Sequence, residues 1–258
     1  MLCRCLIPRG QMIHYHGTPI TPETACAAIL AGRHAMVSFA NHQQVELCFE
    51  ACQSVALDNG AFPAWMAGNP IKDWEPYYKW VDKWRKHPSF DFALIPDVID
   101  GTEQENSTLT AIWPLGIQCG VPVWHLHESL PRLRQLCEYW PRVALGSSGE
   151  YAQIGTVQWW NRMKEAMDVA CPFGFPLAKL HGLRMLDPEI FSRFPFSSAD
   201  STNVARNIGI DQAWRGPYQP ANKAGRAVVL ADRIESTNSA PEWRTFHIQT
   251  VLFDEGGS

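Results

Sequence analysis

The stretch that decides the fold is FSSADSTNVAR, residues Phe196 to Arg206. It predicts a short buried strand that ends at Asp200, followed by a small polar turn and a helix start. Ser201, Thr202 and Asn203 have side-chain oxygens that can accept the free N–H groups of a first helical turn. A carboxylate beside those N–H groups is stabilised in its charged form, as a nucleophile or a general base requires. The alternative is that Asp200 only caps or turns the chain.

The same order of a short apolar run and a helix-length segment repeats along the chain. The predicted strands are Met12–His16, Ala35–Phe39, Ser54–Asp58, Phe92–Ile95, Val121–His127, Arg142–Gly146, Pro176–His181 and Pro195–Asp200. The predicted helices cover residues 25–31, 74–84, 130–140 and 222–234, with further helices starting at Asn41, after Gly101 and at Thr156. Strands that are apolar at consecutive positions are typical of buried parallel sheets. We therefore expect an α/β protein, a single (β/α)8 TIM barrel over residues 1–258.

A doubly wound open sheet is the alternative fold, but no glycine-rich phosphate loop follows an early strand. The chain has 258 residues, of which 46% are hydrophobic and 19% charged, enough for one large core. Its net charge of −4 argues against nucleic-acid binding through bulk positive charge, although a local basic patch remains compatible with it. No apolar run reaches the length of about 18 residues that a membrane span needs. The first nine residues are too few and too charged for a secretory signal, so we expect a soluble, cytoplasmic protein without membrane contact.

The eight cysteines are mostly isolated in apolar surroundings, as buried thiols in a reducing compartment are. Cys3 and Cys5 are the closest pair, and no second Cys/His pair at zinc spacing lies near them. We therefore expect no metal site.

Polar side chains follow most of the predicted strands, where the active site of a barrel forms. These are Asp58, Asp97, His125, His127, Ser147, Glu150, Lys179, His181 and Asp200, and Gly146 opens the loop that carries Ser147 and Glu150. Carboxylates that share a pocket are driven to different pKa values, so that one stays ionised while another carries a proton. That pairing serves glycosyl transfer, in which one carboxylate attacks the anomeric carbon and another assists the leaving group.

A metal-dependent barrel hydrolase is the competing interpretation. It would use His14, His16, His125 and His127 with one of the aspartates. His125 and His127 flank one residue and so face the same side of a strand. We prefer for them a role in hydrogen bonding to substrate or to the next strand.

Three segments resemble motifs of the tRNA-guanine transglycosylases. LDNGAF (Leu57–Phe62) resembles their Asp-Ser-Gly-Gly-Phe-Gln stretch, and LGSSGE (Leu145–Glu150) resembles their Gly-Gly-Leu-Ala-Val-Gly-Glu loop. DSTNVAR (Asp200–Arg206) keeps the Asp and Arg spacing of their Asp-Cys-Val-x-Pro-Thr-Arg segment. The segments occur in the family's order, over roughly residues 55 to 210. The small phage and mobile-element relatives associated with 7-deazaguanines in DNA are the most similar.

The resemblance implies a (β/α)8 barrel that exchanges a base without a cofactor. Asp200 would be the nucleophile at the anomeric carbon as guanine leaves, and Asp58 the general acid/base. Asp97 would hydrogen-bond the Watson–Crick edge of the base. The remaining base-recognition residues would be His127, in place of the family's Gln, and the loop of Gly146 and Ser147, which Glu150 would steady.

The substrate-binding set also includes His125, Lys179, His181, Phe62 and Arg206. Arg206 would meet a phosphate or orient Asp200. A flipped base needs an apolar sandwich, for which Phe62, Trp65 and Tyr151 are available. Phosphate contacts would come from a basic set in the last third of the chain, namely Lys179, Arg184, Arg193, Arg206, Arg215, Lys223 and Arg226.

One departure from the family concerns the partner. The tRNA enzymes carry a Cys-x-Cys-x-x-Cys…His zinc site after the nucleophile, whereas no cysteine follows Cys171 here. We therefore expect a barrel that lacks the zinc-binding subdomain, with DNA favoured over tRNA as the nucleic-acid partner and a 7-deazaguanine as the incoming base. A non-catalytic binding subunit is a further alternative. Whether the chain forms a homodimer or needs a helper protein stays open.

Overall fold

The computed structural model describes residues 11–207, 220 and 222–245. In this part of the chain nine strands run parallel: β1 (Ile13–Gly17), β2 (His34–Ser38), β3 (Ser54–Asp58), β4 (Phe90–Leu94), β5 (Gly120–Val121), β6 (Val123–His125), β7 (Arg142–Gly146), β8 (Lys179–Gly182) and β9 (Ser198–Ser201). Their order in the sheet is β5-β4-β3-β2-β1-β9-β8-β7-β6. The prediction of a parallel β/α barrel is confirmed.

Pro122 divides the predicted fifth strand in two. Proline has no N–H to donate, so the ladder breaks there. β5, before Pro122, pairs with β4, whereas β6, after it, pairs with β7. The Pro122 carbonyl still accepts the Ala144 amide at 2.9 Å. The two end strands of the sheet are thus consecutive in the chain, and this link brings the barrel close to full closure.

Helices follow the strands and cover the outside of the sheet. Those in the described ranges are α1 (Glu23–Leu30), α2 (Val45–Ala51), α3 (Ala61–Met66), α4 (Glu75–Trp84), α5 (Glu103–Ala111), α6 (Leu130–Tyr139), α7 (Val157–Ala170), α8 (Pro188–Phe191), α9 (Asn203–Asn207) and α10 (Lys223–Glu235). Thr156 and Asn222 cap α7 and α10 through their side-chain oxygens. α2 begins after Gln44, since residues 39–41, where a cap at Asn41 was predicted, form a separate 3-10 turn.

The interior of the barrel is apolar at its centre and polar at both ends. Tyr15, Met36, Ala56, Phe92 and Ala144 belong to the apolar cluster inside the ring. A larger apolar cluster lies between the strands and the helices. Side chains alternate along a strand, so residues two positions beyond an inward residue also face inward. No helix of the described ranges has the length and apolar character needed to cross a bilayer.

Candidate active site

Asp58 is the last residue of β3 and faces into the barrel, two positions after the inward Ala56. Burial raises the pKa of the Asp58 carboxyl to about 7, and the negative charges of Asp200 and Asp97 add to the shift. The neighbouring Ser38 hydroxyl and the Gly60 backbone act in the opposite direction. A carboxyl with this pKa exists in both protonated and ionised forms at neutral pH, as a general acid/base needs.

Asp200 lies on β9 at the same end of the barrel. Its Oδ1 accepts the backbone N–H of Arg184 at 3.0 Å, and its side chain is 13% exposed. His181 Nε2 lies 3.4 Å from Oδ1, but this contact is not a hydrogen bond. Among the described residues no hydrogen bond reaches Asp200 Oδ2, so this oxygen is the one available for chemistry.

Arg184 connects three of the loops at the C-terminal end of the barrel, which we call the C-terminal mouth: those that follow β3, β7 and β8. Its backbone has a φ of +60°, a left-handed conformation that costs a non-glycine residue about 1–2 kcal/mol. Its Nη2 donates to the Ser147 carbonyl at 2.7 Å, and its guanidinium carbon lies 4.1 Å from the centre of the Phe62 ring. These contacts offset the strain and hold the Arg184 amide toward Asp200.

Asp97 follows β4 and is 7% exposed. Its Oδ1 accepts the Asn59 side-chain amide at 2.6 Å, and its Oδ2 lies 2.8 Å from His125 Nε2. The other ring nitrogen of His125, Nδ1, is buried and has no hydrogen-bond partner in the described part of the chain. Asp97, Asn59 and His125 therefore form a connected polar group beside Asp58.

The loop after β7 closes one side of the mouth. Gly146 packs closely against His125, because a Cβ at this position would lie only 3.2 Å from His125 Nδ1. The Ser147 hydroxyl accepts the indole N–H of Trp159 at 2.9 Å, which fixes the loop against α7. Glu150 is exposed and accepts the side-chain amide of Gln158 on α7 at 2.8 Å.

His127 lies next to this loop with both ring nitrogens engaged. Its Nδ1 is 2.8 Å from the Ser148 hydroxyl, and its Nε2 is 3.1 Å from the Gly101 carbonyl. Its ring is 5.6 Å from that of His125, at an interplanar angle of 21°. The two histidines therefore share one side of the mouth, but His127 is already bonded on both edges.

Aromatic side chains flank the mouth on opposite sides. Phe62 and Trp65 lie on α3, with ring centres 6.0 Å apart, and Trp65 is 36% exposed. The turn into α3 requires glycine at position 60. Its φ of +79° is one that other residues rarely adopt, and a Cβ there would clash with the Ala40 nitrogen at 2.9 Å. Tyr151 is partly buried at the end of a 3-10 turn, with the Arg162 guanidinium 5.7 Å from its ring.

The placement predicted for Lys179 is wrong. The predicted strand 176–181 would end near Lys179, but β8 begins there, in register with Arg142 at the start of β7. Residues 176–178 form no regular secondary structure, and the strand therefore starts later than predicted. Lys179 consequently lies at the N-terminal end of the barrel, the N-terminal mouth. It lines a cavity of about 220 Å³ there with Asp91, Arg142 and others. Lys179 and Asp200 are therefore at opposite ends.

The histidine set of the metal-dependent hydrolase is not brought together. His14 and His16 alternate with the inward Tyr15 and so face outward, where their Nε2 atoms lie 2.9 Å from the Thr237 carbonyl and 2.8 Å from Glu235 Oε1. Only the other two histidines of the set lie at the C-terminal mouth. Within residues 11–207 and 222–245, no three His, Cys, Asp or Glu side chains are arranged to hold a metal ion.

The described members of the predicted basic set do not form one continuous track. Arg206 is exposed on α9 and makes no hydrogen bond to Asp200. Arg193 packs over Trp160, and Arg226 donates to the Pro220 carbonyl. Lys223 is exposed at the start of α10, and Arg215 lies outside the described residues. Of the described members of the set, Arg184 makes contacts at the mouth.

Two residues at the mouth were not assigned their roles from the sequence. Asn59 bonds the Ile95 carbonyl, Asp97 and the Ala61 amide, which ties the ends of β3 and β4 together. In the sequence it appears only as a member of the LDNGAF segment, with no role assigned to its side chain. Arg184 was assigned to phosphate binding because it belongs to the basic set. No feature of the local sequence indicates that its backbone is left-handed.

Comparisons with known proteins identify the fold. No family model and no curated protein matches the chain. Solved structures of the tryptophan synthase alpha-subunit from Pyrococcus furiosus do. A single-residue variant of that subunit matches with a TM-score of 0.50 and 11% identity over 88% of this chain and 96% of the other. The subunit in a study of the synthase α2β2 complex gives 0.49 and 11% over 87% and 96%. At this identity the likeness bears on the fold alone: the chain is a TIM-like parallel β/α barrel.

Proposed function

We propose that the chain is a base-exchanging glycosyltransferase, a pentosyltransferase that replaces guanine in nucleic acid by a 7-deazaguanine. The observation that carries the proposal is the pair of carboxyl groups at the C-terminal mouth. Asp58 and Asp200 face the same space from β3 and β9, and their environments differ. The pKa of Asp58 is raised to about 7, whereas Asp200 accepts a backbone N–H.

The reaction divides between these two groups. Asp200 Oδ2 attacks the anomeric carbon, the bond from that carbon to guanine breaks, and the leaving base takes a proton from Asp58. The incoming 7-deazaguanine then returns a proton to Asp58 and attacks the same carbon, which breaks the ester and regenerates the Asp200 carboxylate. Two displacements retain the configuration of the sugar and require no cofactor.

Two further features support a nucleic-acid substrate. Trp65 is exposed beside Phe62 and offers an aromatic surface for a base taken out of its stack. The three motifs that resemble the transglycosylases put their acidic residues at this mouth. DNA is favoured over tRNA, because no cysteine after Cys171 supplies the zinc module of the tRNA enzymes.

The test is exchange of labelled guanine into guanine-containing DNA and into tRNA by the purified chain, with and without 7-deazaguanine. We expect incorporation into DNA, and loss of it in Asp200→Asn, which keeps the size of the side chain but cannot attack. Unchanged exchange in that variant would refute the role of Asp200. Absence of exchange in both nucleic acids would refute the proposed function and favour a non-catalytic barrel.

A further inference from the structure

His181 is fully enclosed inside the barrel, next to the C-terminal mouth. The edges and faces of its ring meet two aromatic rings of the interior, that of Phe92 at 5.2 Å and that of Tyr15 at 6.0 Å. Its partner in the ladder is Ser198 of β9, whose hydroxyl lies 2.8 Å from Nδ1. A ring held in this way can take part in a reaction only through a neighbouring group.

The neighbouring group is the carboxylate of Asp200. His181 Nε2 lies 3.4 Å from Asp200 Oδ1, about 0.5 Å beyond the usual length of a hydrogen bond between these atoms. Nε2 is buried and has no hydrogen-bond partner in the described part of the chain. A buried N–H without a partner is costly, so a small approach of the two side chains is favourable.

The charge of Asp200 determines which nitrogen of the neutral His181 ring carries the proton. An ionised carboxylate can only accept hydrogen bonds. With the proton on Nδ1, the lone pair of Nε2 would face the lone pairs of Asp200 Oδ1 and be repelled. The proton therefore lies on Nε2, and the Ser198 hydroxyl donates to Nδ1.

We infer that His181 is a positioning residue for Asp200, whose Oδ1 accepts the His181 Nε2–H group when substrate is bound. The inference rests on the proposed function. Hydrogen bonds in active sites are often long without substrate and shorten in the complex. Oδ1 then has two donors, the Arg184 amide and His181, and Oδ2 is left for the attack.

The two displacements depend on this donor in opposite ways. In the first, Asp200 Oδ2 forms a bond to the anomeric carbon and the carboxylate loses its negative charge, so a donor on Oδ1 does not assist this step. In the second, the bond from Oδ2 to that carbon breaks and its electron pair returns to the carboxylate, which the donor stabilises. Loss of the donor should slow the second step and allow the covalent ester to accumulate.

A matched pair of variants separates this role from a structural one. His181→Phe keeps an aromatic ring in the interior but has no N–H, whereas His181→Gln carries an amide near the position of Nε2. We expect base exchange in His181→Phe to be about tenfold slower, with a larger fraction of the protein held as the Asp200 adduct. His181→Gln should restore most of the rate and the lower adduct fraction. Thermal unfolding checks that both variants are folded.

Nitrogen NMR of the wild-type protein tests the contact without requiring base exchange. We expect the His181 proton on Nε2 at neutral pH. A proton on Nδ1, or slower exchange in His181→Phe with no rise in the adduct fraction, would overturn the inference, while exchange by the wild type would still support the proposed function. If the proton lies on Nε2 and the wild type exchanges no base, the proposed function fails and the contact between His181 and Asp200 stands.

Discussion

Asp58 and Asp91 belong to neighbouring strands and lie at opposite ends of the barrel. Burial alone would raise the pKa of Asp91, but the Arg142 guanidinium and the Tyr15 hydroxyl outweigh it and hold the pKa below its usual range. No cation among the described residues acts on Asp58 in this way, and burial and two other carboxylates raise its pKa to about 7. The N-terminal mouth is electrostatically satisfied and stabilises the fold. The C-terminal mouth carries an unfavourable charge arrangement of the kind that active sites use.

The largest expected effect comes from removing one charged side chain at each end of the barrel and measuring base exchange. Asp58→Asn removes the proton carrier, and we expect the exchange rate to fall by about 10²–10⁴-fold, the usual contribution of a general acid/base. Lys179→Ala, at the N-terminal mouth, should leave the rate within about twofold, because general acid/base effects need contact with the reacting atoms. A large loss of activity in Lys179→Ala would show that the two ends are not functionally distinct.

Asp91→Asn tests the stabilising end. The change removes the ion pair with Arg142, whose side chain is only 12% exposed, and leaves Tyr15 a neutral amide oxygen as a weaker acceptor. We expect a loss of about 2–3 kcal/mol in the free energy of unfolding at pH 7, measured by urea titration. A lowered pKa contributes stability above the unfolded pKa that disappears as pH falls through the folded one. The difference between the two proteins should therefore shrink in acid.

The exposed Asp82 is the control for Asp91. It too has a pKa lowered by neighbouring cations, Arg85 and Lys86, but its side chain is 41% exposed. Since exposed pairs contribute little, Asp82→Asn should barely change the unfolding curve. If it destabilises the protein as much as Asp91→Asn does, burial is not the relevant difference.

Asp58→Asn should have the opposite effect on stability. A raised folded pKa means that the unfolded chain loses its proton first, so wild-type stability declines as pH rises from about 4 to about 7. The variant lacks this decline, and we expect it to exceed the wild type by about 1–2 kcal/mol above pH 7 and to match it near pH 4. Unfolding at pH 4, 6 and 8 measures the divergence, and parallel curves would contradict the pKa argument.

The smallest expected effect is at Arg184. Glycine accepts the left-handed backbone without strain and keeps the amide that Asp200 accepts, whereas alanine does not favour that conformation. We expect Arg184→Ala to be less stable than Arg184→Gly by about 1 kcal/mol, and to exchange base more slowly. Thermal unfolding and exchange rates of the two variants check this, and equal values would show that the amide does not position Asp200.

The barrel was predictable because its signals are local. Buried parallel strands are short apolar runs, and β3 and β7 have the predicted bounds, Ser54–Asp58 and Arg142–Gly146. Thr156 caps α7 as predicted, and the helix predicted from residue 222 begins one residue later, with Asn222 as its cap. The predicted strand boundaries are wrong where apolar residues extend beyond the hydrogen-bonded part of the strand, as they do before Lys179. Pro122 divides a strand that its apolar neighbours predict to be continuous.

The sequence predicts which residues lie at the C-terminal mouth, but not which side chains contact each other there. Asp58, His125 and Asp200 occupy the C-terminal mouth because parallel strands of a barrel end on one side. The connections between side chains depend on distances that the sequence does not contain. The partner of Asp200 is the Arg184 amide, not the helix N-terminus that follows it in the chain. The burial of Asp97 between Asn59 and His125 likewise arises from three separate segments.

The most direct test of the account is to look for the covalent link at Asp200. The protein is mixed with guanine-containing DNA, denatured, digested, and its peptides are analysed by mass spectrometry. We predict a nucleic-acid adduct on the peptide that contains Asp200, which is absent in Asp200→Asn and disappears when 7-deazaguanine is added before denaturation. Base exchange that proceeds with no adduct at Asp200, or with an adduct at another residue, would contradict the account.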